Sequence, residues 1–266
     1  MTIKPDGQPI IHKFPDRQDI ELWPVMDLHI GDKYHATETW KAFCRRVLQR
    51  ENTYIVLGGD LLTNATRNSV GNGVFENTLR PREQKRVVVE MLKPLKPRIL
   101  CGTTGNHERR SAKDADVGLM ADVMYELGLE ELYRENMALV KLQFGNPKNN
   151  GQTNPTYTIA VTHGSGGGST GNIINRNERF GYSLRDCDIL IVGHSHKPAI
   201  TVPGRYCIDN RNNTSVKPLL VVSATSWLNF GGYAMQHMFT PTCIAPQVIR
   251  ICGNKKEVEA ATKVFY

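Results

Sequence analysis

The chain has 266 residues, 40% hydrophobic and 22% charged, an ordinary globular composition long enough to bury a core without staples. A net charge of +7 suits an anionic partner such as nucleic acid or a phosphorylated metabolite, and equally a merely soluble basic surface. No apolar run reaches membrane-span length, the start is not a signal peptide, and six scattered cysteines exclude a disulfide scaffold or thiolate zinc site, so a cytoplasmic protein without a membrane partner is expected.

Residues 1–20 are polar and Pro-rich and are expected to wrap the surface. Glu21–Met26 reads as a first strand, with Pro24 pointing to an edge or bulge, and it runs into Asp27-Leu28-His29-Ile30-Gly31. A helix over Thr37–Arg50 places Trp40, Phe43, Cys44, Val47 and Leu48 on one face. Tyr54–Leu57 is a buried strand ending in Gly58-Gly59-Asp60, followed by a long polar loop over 63–77 that suggests a functional segment. A second helix spans Arg82–Lys93, stopped by Pro94 and Pro97.

Arg98–Gly102 is a third strand and leads to Gly105-Asn106-His107-Glu108. A third helix is expected over Asp114–Leu127. Ala138–Phe144 and Thr156–Thr162 alternate as half-buried strands, the second ending in His163-Gly164. After a Gly/Ser loop over 165–170, a short helix near Ile173–Phe180 precedes the apolar run Ile189–Val192. That run breaks at Gly193 and delivers His194-Ser195-His196, whose imidazoles share a side if the segment stays extended. Strands at Ala199–Val202, Tyr206–Ile208, Leu219–Val222 and Val248–Ile251 fill the remainder. Strand–helix alternation followed by strands predicts an α/β fold with two mixed sheets sandwiched between helices. One domain is expected over 1–266, its motif-bearing core at about 21–200 and a strand-rich part at about 200–266 completing the second sheet.

Five of these strands stop at potential metal ligands, usually beside glycine: Asp27 and His29, Asp60, Asn106 and His107, His163, and His194 and His196. Nitrogen and oxygen donors without thiolate suit manganese, iron or zinc, with manganese the first expectation. Neighbouring motifs are weaker. Ser195 lacks the second glycine of a nucleophile elbow, and His107-Glu108 lacks the second histidine of a zinc-protease helix. Arg109, Arg110 and His35 are candidate contacts for an anionic ligand, alongside Asn106.

Together, Asp27-x-His29, Gly59-Asp60, Gly105-Asn106-His107-Glu108, His163 and Gly193-His194-x-His196 resemble the calcineurin-like metallophosphoesterases over about Met26 to His196. The first motif, with Ile30-Gly31, looks like the double-strand-break repair nuclease branch. The resemblance implies a four-layer αββα fold and two divalent ions. Asp27, His29 and His196 would hold one ion; Asn106, His163 and His194 the other; Asp60 would bridge them. It further implies hydrolysis of a phosphodiester by a hydroxide bridging the ions, as in a nuclease on DNA or RNA, with His107 and Glu108 as catalytic residues. The family usually has Asp where this chain has Glu108, whose extra methylene changes how it can orient His107. A phosphomonoesterase, a cyclic-nucleotide phosphodiesterase and a catalytically weak scaffold stay open as alternatives.

Overall fold

The computed structural model describes residues 4–67, 69, 77–146, 154–166 and 170–264. Within these, the strands are β1 (Ile10–Phe14), β2 (Ile20–Val25), β3 (Thr53–Leu57), β4 (Ile99–Gly102), β5 (Met137–Phe144), β6 (Thr156–Thr162), β7 (Ile189–Val192), β8 (Ala199–Thr201), β9 (Gly204–Ile208), β10 (Thr214–Pro218), β11 (Leu220–Ser223), β12 (Gln247–Ile251) and β13 (Val258–Thr262). The helices are α1 (Thr37–Leu48), α2 (Pro81–Leu92), α3 (Glu108–Ala115), α4 (Leu119–Glu126), α5 (Thr170–Tyr182) and α6 (Gly232–Gln236).

Apolar runs that need cover on both faces find it by forming the inner layers. One sheet has the order β13-β12-β2-β3-β4, with β2, β3 and β4 parallel. The other has the order β1-β5-β6-β7-β11-β8, with β6, β7 and β11 parallel and β5 antiparallel to β6. The sheets face each other through Leu22, Met26, Val56 and Leu100 on one side and Val140, Ile159, Val161 and Ile191 on the other. Trp40 and Phe43 of α1, Val88 and Leu92 of α2 and Met120 and Met124 of α4 cover the outer face of the first sheet at Trp23, Val25, Ile55 and Leu57. On the far side α5 packs on β11, above Leu190, Val192 and Val221. The result is helix, sheet, sheet, helix. Each fully buried Leu, Ile, Val or Phe side chain adds about 1.5–3 kcal/mol.

Several sequence expectations need correction. Residues 10–14 do not merely wrap the surface: β1 pairs in parallel with β5, burying Ile10 between the sheets. Pro24 sits inside a sheet rather than at an edge, between β3 and the β12 side. The β12 ladder covers only Ile20–Leu22, so it ends before the proline whose missing N–H would break it. The helix expected over 114–127 is two helices. Asp116 adopts a left-handed conformation (φ 55°) that ends α3 and lets the Val117 amide reach the Ser111 carbonyl. Leu48 is 44% exposed and Cys44 only half-buried, so the inner face of α1 is narrower than its apolar pattern. The strands β10 and β13, both mostly exposed, lie outside the sequence expectations. Of the two loops read from the sequence over 63–77 and 165–170, residues 68, 70–76 and 167–169 lie outside the described residues.

Candidate metal centre

Parallel strands deliver their C-terminal ends to one edge of a sheet, where α/β proteins bind ligands. Past β2 and β3 the two chains stay paired: the amides of Asp27 and His29 donate to the carbonyls of Gly59 and Asp60, each at 3.0 Å. The second sheet joins this edge through its own strand ends. His163, just past β6, places Nδ1 2.9 Å from the Gly58 carbonyl, and the His194 amide, just past β7, donates to Asp27 Oδ2 at 2.9 Å.

The side chains gather in three overlapping groups: Asp27 with His29 and His196, His29 with Asp60 and His107, and Asp60 with His163 and His194. Asp27 Oδ1 is 3.3 Å from His196 Nε2 and 3.9 Å from His29 Nε2. Asp60 Oδ2 is 3.2 Å from His163 Nε2 and 3.7 Å from His107 Nε2. Asn106 Oδ1 lies 2.9 Å from His163 Nε2 and 2.8 Å from His194 Nδ1. All seven residues read from the sequence as ligands are thus neighbours, with Asp60 common to two groups.

The donors fit a cation. Asp27 Oδ1 is buried without a well-aligned hydrogen bond, its nearest neighbour being His196 Nε2 at 3.3 Å, an expensive state for a carboxylate oxygen. His29 Nε2 and His196 Nε2 face each other at 3.1 Å, where at most one proton can sit between two acceptors. Burial, then His107 and His196, holds His29 well below its usual pKa, which leaves it neutral as a ligand must be. For His163 burial pulls downward, but the Asp60 carboxylate outweighs it and lifts the imidazole to about 10. Burial alone would raise Asp60; His107 and His163 instead hold it well below the carboxylate range. Protons on histidine here balance charge that a divalent ion would balance better.

The backbone carries a second mark. Ten described non-glycine residues have positive φ, and five of them are Asp27 (53°), His29 (50°), Asp60 (51°), His194 (68°) and His196 (54°). Each such conformation costs about 1–3 kcal/mol and persists where surrounding structure demands it, typically at functional sites. It also corrects the extended reading of His194-Ser195-His196. The segment bends, so His194 turns towards Asn106 and His196 towards His29. Glycine at position 105 is required by proximity: a Cβ there would lie 2.1 Å from Asp60 Oδ1.

His107 begins the turn into α3. Its Nδ1 lies 2.7 Å from the Thr63 carbonyl, so Nδ1 carries the proton and Nε2 faces Asp60. Glu108 does not orient this ring. Its carboxylate accepts the backbone amides of Asp60 (2.9 Å), Leu62 (3.1 Å) and Gly105 (2.9 Å), tying the loops after β3 and β4 together. Burial and then the Asp60 carboxylate push Glu108 up to about 7, while the Leu62 and Asp60 amides oppose the shift.

The remaining candidates are placed less centrally. Arg109 binds Asn136 Oδ1 at 2.8 Å, away from the groups. Arg110 reaches the Thr63 carbonyl and the His107 ring, each at 3.0 Å. His35 donates through Nδ1 to the Leu28 carbonyl (2.9 Å) and lies outside the three groups. Sequence reading passed over Asn64 and Trp227. Buried Asn64 donates to the His107 carbonyl at 2.7 Å, and its only local signal is its place four residues after Asp60. The Trp227 amide donates to the Asp27 carbonyl at 3.0 Å across 200 residues, a contact no local pattern encodes.

No family model matches the chain, and no curated protein matches it. Among solved structures it is similar to a Streptococcus pneumoniae protein described as a predicted phosphoesterase, with 14% identity over 93% of each chain and a TM-score of 0.39. It is also similar to Vps29 of Entamoeba histolytica complexed with zinc, with 11% identity over 93% of this chain and 100% of that one and a TM-score of 0.40. A third similarity is to a Thermotoga maritima protein solved by NMR, with 12% identity over 91% and 99% and a TM-score of 0.37. At such distances they carry nothing about the site, whose chemistry follows from its own side chains.

Proposed function

We propose that the chain is a phosphoesterase with a two-metal centre, acting on phosphodiesters and, given its +7 charge, on nucleic acid. The observation that carries this reading is the position of Asp60, whose carboxylate belongs at once to the His29–His107 group and to the His163–His194 group. In this reading Asp27, His29 and His196 hold one ion, Asn106, His163 and His194 hold the other, and Asp60 serves both. Manganese is the ion to test first, with iron and zinc next. Bound divalent ions supply Lewis acidity towards phosphoryl oxygens and ready ionisation of water near neutral pH.

The protein's own groups do the rest. With Nδ1–H donating to the Thr63 carbonyl, His107 presents a bare Nε2; once that nitrogen has taken up a proton from solvent, the imidazolium would hand it to the departing oxygen. That role is worth roughly 10²–10⁴-fold in rate. Glu108 acts on the backbone, fixing the loop that carries Asp60. Arg110 adds positive charge beside His107, which would favour an anionic substrate there.

The test is turnover of bis(p-nitrophenyl) phosphate with manganese, paired with metal analysis. Purified protein should bind two ions and cleave the diester. The variant Asp60→Ala should lose both ions together. His107→Ala should keep them and lose turnover. Preference for p-nitrophenyl phosphate would move the reading to a monoesterase. A folded protein that binds no divalent ion would end it.

A further inference from the structure

Away from the metal centre, edge strands β1 and β4 leave an opening on one flank of the sandwich. Here lies a groove of about 540 Å³, within the range of small-molecule sites. It borders Ile99 and Leu100, whereas the metal centre gathers beyond the other end of β4. Its walls are apolar and partly aromatic. Phe14 and Tyr54 meet edge to face with centroids 5.3 Å apart, and Leu132 joins them in the lining. His12 stiffens it: Nε2 is 2.8 Å from the Leu100 carbonyl, so the ring bridges the two sheets.

The charge on this groove is one-sided. Lys13 and Lys96 line it, and no carboxylate does. Both lysines are exposed and have no ion-pair partner among the described residues, while nearby Lys4 and Lys93 are paired with Glu131 and Glu90. Cations left unpaired beside an aromatic wall are complementary to a flat molecule with one negative group. We propose that this groove binds a small aromatic anion of one or two rings, such as an aryl carboxylate, at a site separate from the metal centre. The rings would lie against Phe14, Tyr54 and Leu132, and the carboxylate between Lys13 and Lys96.

The probe is 2-naphthoate, titrated into the full-length protein and followed by calorimetry and amide NMR shifts. One saturable site is expected, with shifts centred on Phe14, Leu100 and Leu132. The neutral 2-naphthamide and the aliphatic anion octanoate should each bind about tenfold more weakly. Lys13→Glu with Lys96→Glu, both at exposed positions, should weaken naphthoate about tenfold or more without changing the melting temperature. Asp60→Asn should leave naphthoate binding unchanged, which separates this site from the metal reading. Absence of saturation, equal binding of 2-naphthamide, tighter binding of octanoate, or shifts centred on Tyr206, exposed on the antiparallel pair of β9 and β10, would each overturn the proposal.

Discussion

Both terminal nitrogens of Arg110 lie 3.0 Å from a ring nitrogen of His107, Nη1 against Nδ1 and Nη2 against Nε2. His107 Nδ1 already gives its proton to the Thr63 carbonyl, so of these two approaches the one at Nε2 is the hydrogen bond the ring can accept. Nη1 also donates to the Thr63 carbonyl that holds His107 Nδ1. The arginine therefore braces the ring from the side while the carbonyl anchors it from below. Removing that brace with Arg110→Met should lower diester turnover about 10- to 100-fold while metal content stays unchanged. Arg110→Lys should not restore it, because a single ammonium lacks the two fixed nitrogens that reach the Thr63 carbonyl and the ring together. Steady-state kinetics with metal analysis decide; loss of metal in Arg110→Met would show that the residue supports the ligands instead.

A single methyl group should disable the centre. In Gly105→Ala the new Cβ would meet Asp60 Oδ1 at 2.1 Å and the Asp60 amide at 2.3 Å, so the carboxylate must move. Overpacking of this kind costs about 1–3 kcal/mol. Gly118→Ala is the matched control, since its Cβ would find only ordinary contact with Ala121 at 3.5 Å. Metal stoichiometry should fall in the first variant and hold in the second. Equal stoichiometry in both would mean the Asp60 loop yields more than the packing implies.

Stability should fall as pH drops through the histidine range. Burial lowers His12 below 6.5 by more than its bond to Leu100 raises it. The unfolded chain then takes up the proton first, so the contribution is complete above pH 6.5 and is lost as pH falls towards the folded value. His12→Gln keeps a donor for the Leu100 carbonyl but cannot titrate. It should flatten the decline in stability between pH 7 and pH 5 by at most one proton, about 1.4 kcal/mol per pH unit. Urea unfolding at several pH values measures this, and an unaltered slope would assign the effect to other groups.

Trp227 links core and centre. Its ring is fully buried, 5.1 Å from Trp40 and 4.8 Å from Phe43, and its amide holds the Asp27 carbonyl. Trp227→Ala should destabilise the fold by about 3–5 kcal/mol. A loss below about 1 kcal/mol by chemical denaturation would mean that the helices close over the gap.

The strand-end residues could be read locally because each follows an apolar run: Asp60 after Val56-Leu57, His163 after Ala160-Val161, His194 after Ile191-Val192. Their meeting depends on which strands pair in parallel and on bonds such as His163 to Gly58, 105 residues apart, which no window of sequence contains. Edge strands were harder. In β1, His12 and Lys13 mask the alternation that buries Ile10, and in β13 most positions are exposed. The break at Asp116 also escaped notice, since aspartate is a rare left-handed stop and the apolar spacing continues past it. Glu108 was visible as a carboxylate beside His107, but its direction is set by three backbone amides from two loops.

The left-handed turns at the metal centre bear on how such a protein drifts under mutation. Glycine is the residue most at ease in that conformation. At His196, where the side chain is partly exposed and the backbone φ is 54°, exchange for glycine would relax the chain and erase an imidazole in the same event. Folding alone would then reward decay of the candidate site. An imidazole kept at that position would record selection for chemistry acting against the preference of the polypeptide itself.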